Sequence, residues 1–257
     1  MSVIRSFCSA FLMYSRIPMP QVEWKEENRR YALCFFPLIG AVIGGLILLW
    51  YLACARLGVG PFLFAAVSTV IPVAVTGGIH LDGFCDVNDA KACGGTRERM
   101  IAVMSDSHIG AFAAIHLAVY LLLQAGFFSQ VESLTLAAVC AFSFVQSRAY
   151  SGLAAVTFRS AKDQGALMNF RKPAHKRVTV AVELIFLVAT SVAMVSFSPI
   201  SGGFGVLGGI LSFVYYRVFA YRRFGGITGD LAGYFLQICE LAVLVCAVLA
   251  ELIVGVV

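Results

Sequence analysis

Charge is scarce in this chain. Only 13% of its 257 residues are Asp, Glu, Lys or Arg, and only 14 are acidic. A soluble domain is about a quarter charged, so too little polar surface exists here to face water on every side. Disorder is excluded from the other direction, because 60% of the residues are hydrophobic, far more than a chain unable to build a core would hold. Paired cysteines are also missing. None of the eight cysteines sits in a C-x-x-C pair, and five lie in apolar runs, where cysteine behaves as a small hydrophobe. Structural zinc, which normally uses paired spacing, is not expected. The N-terminus lacks the long apolar region and small-residue cleavage site of a signal peptide. There is no low-complexity tract, no clear internal repeat and no second soluble domain.

Uninterrupted apolar sequence is what the chain has in quantity. A helix crossing the hydrocarbon of a bilayer takes about 20 such residues. Suitable stretches are Tyr31–Ala55, Leu57–His80, Ile109–Phe128, Leu134–Phe158, the long region Val178–Tyr216 broken at Ser198–Gly203, and Leu231 to the C-terminus. The expected fold is all-α: a polytopic integral membrane protein of about seven transmembrane helices in one domain over 1–257, with functional cytoplasmic loops at 80–107 and 217–230. Ser2–Tyr14 is apolar but too short to span, and reads as an interfacial helix.

Lysine and arginine alternate rich and poor around these spans. The segments before the first span, between the second and third, between the fourth and fifth, and between the sixth and seventh are rich; the others carry Arg56 or nothing. This pattern places the N-terminus and the rich loops on the cytoplasmic side. The net charge of +5 belongs to those loops and does not call for nucleic acid.

The acids concentrate in one place. In Thr76-Gly-Gly-Ile-His-Leu-Asp-Gly-Phe-Cys-Asp-Val-Asn-Asp-Ala90, Asp82, Asp86 and Asp89 are spaced i, i+4, i+7. On a helix they share one face, where like charges repel. A cation would relieve that repulsion, and an oxygen-only donor set favours a hard ion such as magnesium. Asp106, in Met104-Ser-Asp-Ser-His-Ile-Gly110, flanks the same loop and offers a fourth carboxylate, with Ser107 beside it as a candidate substrate contact. Arg97 and Arg99 between them suit phosphate. The bland alternative is a solvated acidic loop.

Other polar groups admit two readings each. Arg222-Arg-Phe-Gly-Gly-Ile-Thr-Gly-Asp230 holds small residues that let backbone N–H groups approach an anion, but Thr228 and Asp230 are equally good helix N-caps. Glu240, about three turns into the last span, is a functional candidate because an acid in a membrane is costly. Arg148 and Glu183 are within or near the membrane, where mutual pairing is the structural alternative. His80 is either a ligand or base, or an interfacial hydrogen-bonder.

The motifs together resemble a known family. Thr76-Gly-Gly-Ile-His-Leu-Asp-Gly83, followed by Asp86 and Asp89, is similar to the signature of the cobalamin synthases, or adenosylcobinamide-GDP ribazoletransferases. Phe11–Pro20, Met104–Phe112 and Gly225–Asp230 with Glu240 resemble further blocks of that family, in family order. The resemblance implies transfer of the cobinamide-phosphate group of adenosylcobinamide-GDP to α-ribazole or its 5′-phosphate, with release of GMP, using magnesium at the cytoplasmic membrane. It implies Asp82, Asp86, Asp89 and Asp106 as metal and catalytic residues, and Gly225, Gly226, Thr228, Gly229 and Asp230 as the second block, lining the nucleotide or corrinoid side. Ala90, Ser105 and His108 depart from the pattern, and with Ser105 replacing a lysine the phosphate contact falls to Arg97 or Arg99.

The chemistry expected of this set is a magnesium ion on the aspartates clamping a diphosphate, with Asp89 or Asp106 accepting the proton of an attacking hydroxyl. The alternative of an alcohol phosphotransferase of lipid synthesis fails on the residues after Asp-Gly. A cation-coupled transporter would keep its acids at the midplane, whereas most here lie at the boundary. Lipid is the surrounding partner, and oligomeric state, a homo-oligomer included, is open.

Overall fold

The computed structural model describes residues 2–106 and 108–254, so Ser107 lies outside the described residues. Among the described residues twelve α-helices follow one another: α1 (Ser2–Tyr14), α2 (Glu26–Arg29), α3 (Phe36–Leu57), α4 (Pro61–Thr76), α5 (Ile79–Cys93), α6 (Arg97–Val103), α7 (Ala111–Phe128), α8 (Leu134–Thr157), α9 (Ala166–Arg171), α10 (Lys176–Phe197), α11 (Pro199–Phe224) and α12 (Gly229–Val254). Among the described residues there is no strand, only an isolated parallel bridge between Ser160 and Ile227. The chain is an all-helical membrane protein. In lipid every backbone polar group needs an internal partner, and helices supply one.

Five segments are long and apolar enough to cross a membrane: Glu26–Leu57, Ala111–Phe128, Lys176–Phe197, Pro199–Phe224 and Gly229–Val254. Helices α4 and α5, bent by 96° at the break between them, are long and apolar enough to cross only when taken together as one broken span. The span expected at Leu134–Phe158 corresponds to α8, whose 24 residues give a length of about 36 Å but which is not among the segments apolar enough to cross. It is less apolar because Gln146, Ser147, Arg148 and Ser151 are buried in the bundle rather than exposed to lipid. It is the central helix, packing on α3, α10, α11 and α12. Lipid-facing helices by contrast expose leucine, valine and isoleucine, as α10 does at Leu184, Ile185, Val188 and Val192.

The basic connections meet at one end of the bundle. Arg16 N donates to Val75 O, and His175 N donates to Arg30 O; Arg159 Nε reaches Gly225 O at 2.8 Å, and Lys162 Nζ reaches Ser105 Oγ at 3.1 Å. At the other end Tyr51 OH donates to Glu132 O and Ser201 pairs with Glu251. The hairpin break expected at Ser198–Gly203 falls between α10 and α11, with Ser198 extended and Pro199 opening the next helix.

Arg148 does not pair with Glu183. Its guanidinium instead meets Glu240 at 2.6 Å. Glu183 packs against Gly152, where a Cβ would lie 2.2 Å from Glu183 Oε1. The two acids sit on different helices, and the crossing of α8 with α12 brings Glu240 to the guanidinium.

Candidate active site

Two glycines create the site's geometry. Gly77 and Gly78 both have left-handed backbone, φ +66° and +81°, which residues with a Cβ rarely adopt. They end α4 and turn the chain into α5. The piece carrying the acids is therefore helical, and Asp82, Asp86 and Asp89 share one face of it.

That face meets the start of α12. Gly83 permits the contact: a Cβ there would lie 2.7 Å from Asp230 O and 2.9 Å from Asp230 Cα. Gly233 on α12 does the same against the backbone of His80. The crossing brings Asp230 to Asp86. Burial, followed by the carboxylates of Asp82, Asp230 and Asp89, pushes the Asp86 carboxyl up to about 6, with the charge of Lys162 opposing them. Thr228 caps α12, its Oγ1 accepting from Leu231 N at 3.2 Å, so the expected cap and the expected site residue occupy the same turn.

The other two expected carboxylates are engaged differently. Asp89 accepts from Gly110 N at 2.6 Å and from Ala113 N at 2.8 Å. It thus caps α7 from a neighbouring helix, where a negative charge is favoured by the unpaired N–H groups. Asp106 faces outward. It accepts from His108 N at 3.0 Å and pairs with His108 Nδ1 at 2.7 Å, contacts that hold its carboxyl below the usual range. Asp230 thus stands beside Asp86 where sequence spacing pointed to Asp106. Among the described residues, no three His, Cys, Asp or Glu side chains converge closely enough to hold an ion by themselves.

A cavity of about 250 Å³ opens beside this face, lined by Tyr14, Phe36, His80, Asp82, Ser151 and Asp230 among others, with α9 contributing Ala166 and Leu167. Asp82 also lines a cleft of about 490 Å³ on its other side, with Arg16 and Thr76. It is the carboxylate that faces both spaces. Tyr14 stands against Phe36 with ring centroids 4.5 Å apart, so the N-terminal block Phe11–Pro20 supplies wall to the cavity.

Of the expected substrate contacts, Arg97 packs on Gly225, its guanidinium filling the space a Cβ would take. Arg99 stays exposed, near Gly95. Gly225, Gly226 and Thr228 form a buried turn. Glu240 lies deeper, in its ion pair with Arg148 and a hydrogen bond from Ser147 at 3.1 Å. His80 is buried, and its Nε2 has no hydrogen-bond partner among the described residues. Lys162, which the sequence marked only as part of a basic loop, reaches Ser105 Oγ at 3.1 Å.

Residues 6–248 match the family model described as cobalamin-5-phosphate synthase. The chain is 46% identical to the adenosylcobinamide-GDP ribazoletransferase of Lachnoclostridium phytofermentans, over 98% of this chain and 96% of that protein. It is 32% identical to the protein of the same name from Clostridium perfringens strain 13, over 89% and 91% of the two chains. The same identity holds for the one from Pseudomonas fluorescens, over 91% and 95%. No solved structure matches the chain. A match spanning nearly every helix, and including the glycine-aspartate segment at the α5–α12 crossing, places this chain in the cobalamin-5-phosphate synthase family.

Proposed function

We propose that this protein transfers the cobinamide-phosphate group of adenosylcobinamide-GDP to α-ribazole or α-ribazole 5′-phosphate, releasing GMP and completing the nucleotide loop of cobalamin. The relatives' shared name supports the reaction. The observation that carries the site is the crossing of α5, which bears Asp82 and Asp86, on the start of α12 at Gly83 and Asp230, with Asp82 and Asp230 lining a cavity. The positive-inside pattern supports a cytoplasmic-facing site in the cytoplasmic membrane.

The donor set fits magnesium. It consists of hard carboxylate oxygens that repel one another, and it does not close into a protein-only cage. Magnesium typically binds through one or two carboxylates, completing its shell with water and substrate phosphates. Asp86 and Asp230 would hold it, and the bound ion would offset charge developing on the departing GMP phosphate. Asp89 keeps the face in place by gripping α7.

The cavity between α1, α5, α8 and α12 is small and mostly apolar, with polar groups at one side. That suits the flat base and ribose of the acceptor and not a corrin ring, which remains at the open face. The acceptor hydroxyl oxygen bonds to the phosphorus carried by cobinamide. The bond from that phosphorus to the GMP oxygen breaks, and its electron pair leaves with GMP. Asp82, bordering the cavity, takes the hydroxyl proton.

The test is GMP release by purified membranes given adenosylcobinamide-GDP, α-ribazole and magnesium. Turnover is expected to vanish with a chelator and in Asp82→Asn, with membrane insertion intact. Normal turnover by Asp82→Asn would remove that residue from the mechanism, and full activity under chelation would remove the metal.

A further inference from the structure

The connection from α8 to α9 held no expected site residue, yet main-chain contacts strap it to the Gly225–Asp230 turn. Ser160 bridges to Ile227. Ala161 N donates to Ile227 O, and Ile227 N donates to Arg159 O, both at 2.9 Å. Arg159 Nε donates to Gly225 O at 2.8 Å. Gly226 lets the two backbones touch, since a Cβ there would lie 2.5 Å from Arg159 O and 2.7 Å from Ser160 C. Ser160 Oγ then closes the corner by donating to Lys162 O at 2.6 Å.

This strap fixes where Lys162 stands. The residue is half-buried rather than splayed into solvent. Its ammonium donates to Ser105 Oγ at 3.1 Å, and its charge acts on both Asp86 and Asp230. An ammonium carries three donors, and a neutral hydroxyl uses only one. If magnesium takes up the aspartates' negative charge, the lysine retains its own charge and two donors that have no partner among the described residues. Arg97, by contrast, is exposed and lies over Gly225.

We propose that Lys162 is a substrate-binding residue that grips the diphosphate of the nucleotide-linked substrate, with the Arg159–Lys162 strap as its rigid arm. This rests on the reaction proposed above. The lysine binds phosphate oxygens as a point charge, favouring the donor substrate over an uncharged acceptor nucleoside.

The experiment compares Lys162→Ala and Lys162→Arg with the unaltered protein at saturating magnesium. Adenosylcobinamide-GDP, α-ribazole and, in a parallel series, α-ribazole 5′-phosphate are varied separately, and thermal melting of the same variants is followed. Loss of a hydrogen bond to a charged group predicts that Lys162→Ala lowers kcat/KM for adenosylcobinamide-GDP about tenfold to a hundredfold. KM for α-ribazole and the melting temperature stay as they were, and Lys162→Arg recovers part of the loss. An unchanged kcat/KM overturns the assignment. So does a loss seen only with α-ribazole 5′-phosphate, which would give the lysine to the acceptor's phosphate. A fall for both substrates with a lower melting temperature would make the strap purely structural. If the unaltered protein releases no GMP, the proposed reaction itself fails; normal turnover with an indifferent Lys162→Ala sinks this assignment alone.

Discussion

Arg148 on α8 and Glu240 on α12 form an ion pair at 2.6 Å with both side chains 1% exposed. The pair is walled off from solvent and joins the central helix to the helix that carries Asp230. Ser147 adds a hydrogen bond to the same carboxylate oxygen, and Phe144 O accepts from the guanidinium at 2.9 Å.

Breaking such a pair strands a buried charge, which costs about 3–5 kcal/mol. Glu240→Ala should therefore lower the melting temperature of the purified protein markedly. The double variant Arg148→Met, Glu240→Leu removes both charges and should recover most of the loss. Turnover by the double variant separates two roles. Retained activity means Glu240 acts only through the fold; lost activity in a stable protein means the substrate depends on it.

Gly83 sets the separation of α5 from α12. Gly83→Val would press on the backbone of Asp230, and overpacking of this kind costs about 1–3 kcal/mol. The expected result is a protein that still inserts but needs more magnesium for half-maximal rate and turns over at least about tenfold more slowly, since small misplacement of reacting groups costs that much or more. An unchanged magnesium requirement would show that Asp230 is no part of the metal's surroundings.

Asp89 is expected to behave as a helix cap. Asp89→Ala removes two hydrogen bonds to a charged acceptor, each worth about 1.5–3 kcal/mol. Amide exchange at Gly110 and Ala113 should accelerate in this variant and stay slow in Asp86→Asn. Unaltered exchange in an inactive Asp89→Ala would assign the residue to chemistry instead.

Much of this arrangement was legible in advance. Long apolar runs and the alternation of basic loops mark the crossings, because hydrocarbon demands helices with few charges. Five segments meet that demand outright, while α8 falls short of it because its polar groups, Gln146, Ser147 and Arg148 among them, are buried in the bundle. The i, i+4, i+7 spacing also placed three aspartates on one face of α5, since helical periodicity is local. Less legible was what each aspartate faces. Asp89 and Asp86 are one turn apart, yet one caps α7 and the other meets α12.

Hydropathy, the charge pattern and the spacing of Asp82, Asp86 and Asp89 determined that this is a helical membrane protein with an acidic face at its basic end. Tertiary structure decided that Asp230 comes against that face, that Glu240 and not Glu183 neutralises Arg148, and that Lys162 reaches Ser105. The physical reason is distance along the chain. A helix's period fixes the relation of residues a turn or two apart, but partners 50 to 150 positions away are chosen by where glycines allow helices and straps to touch.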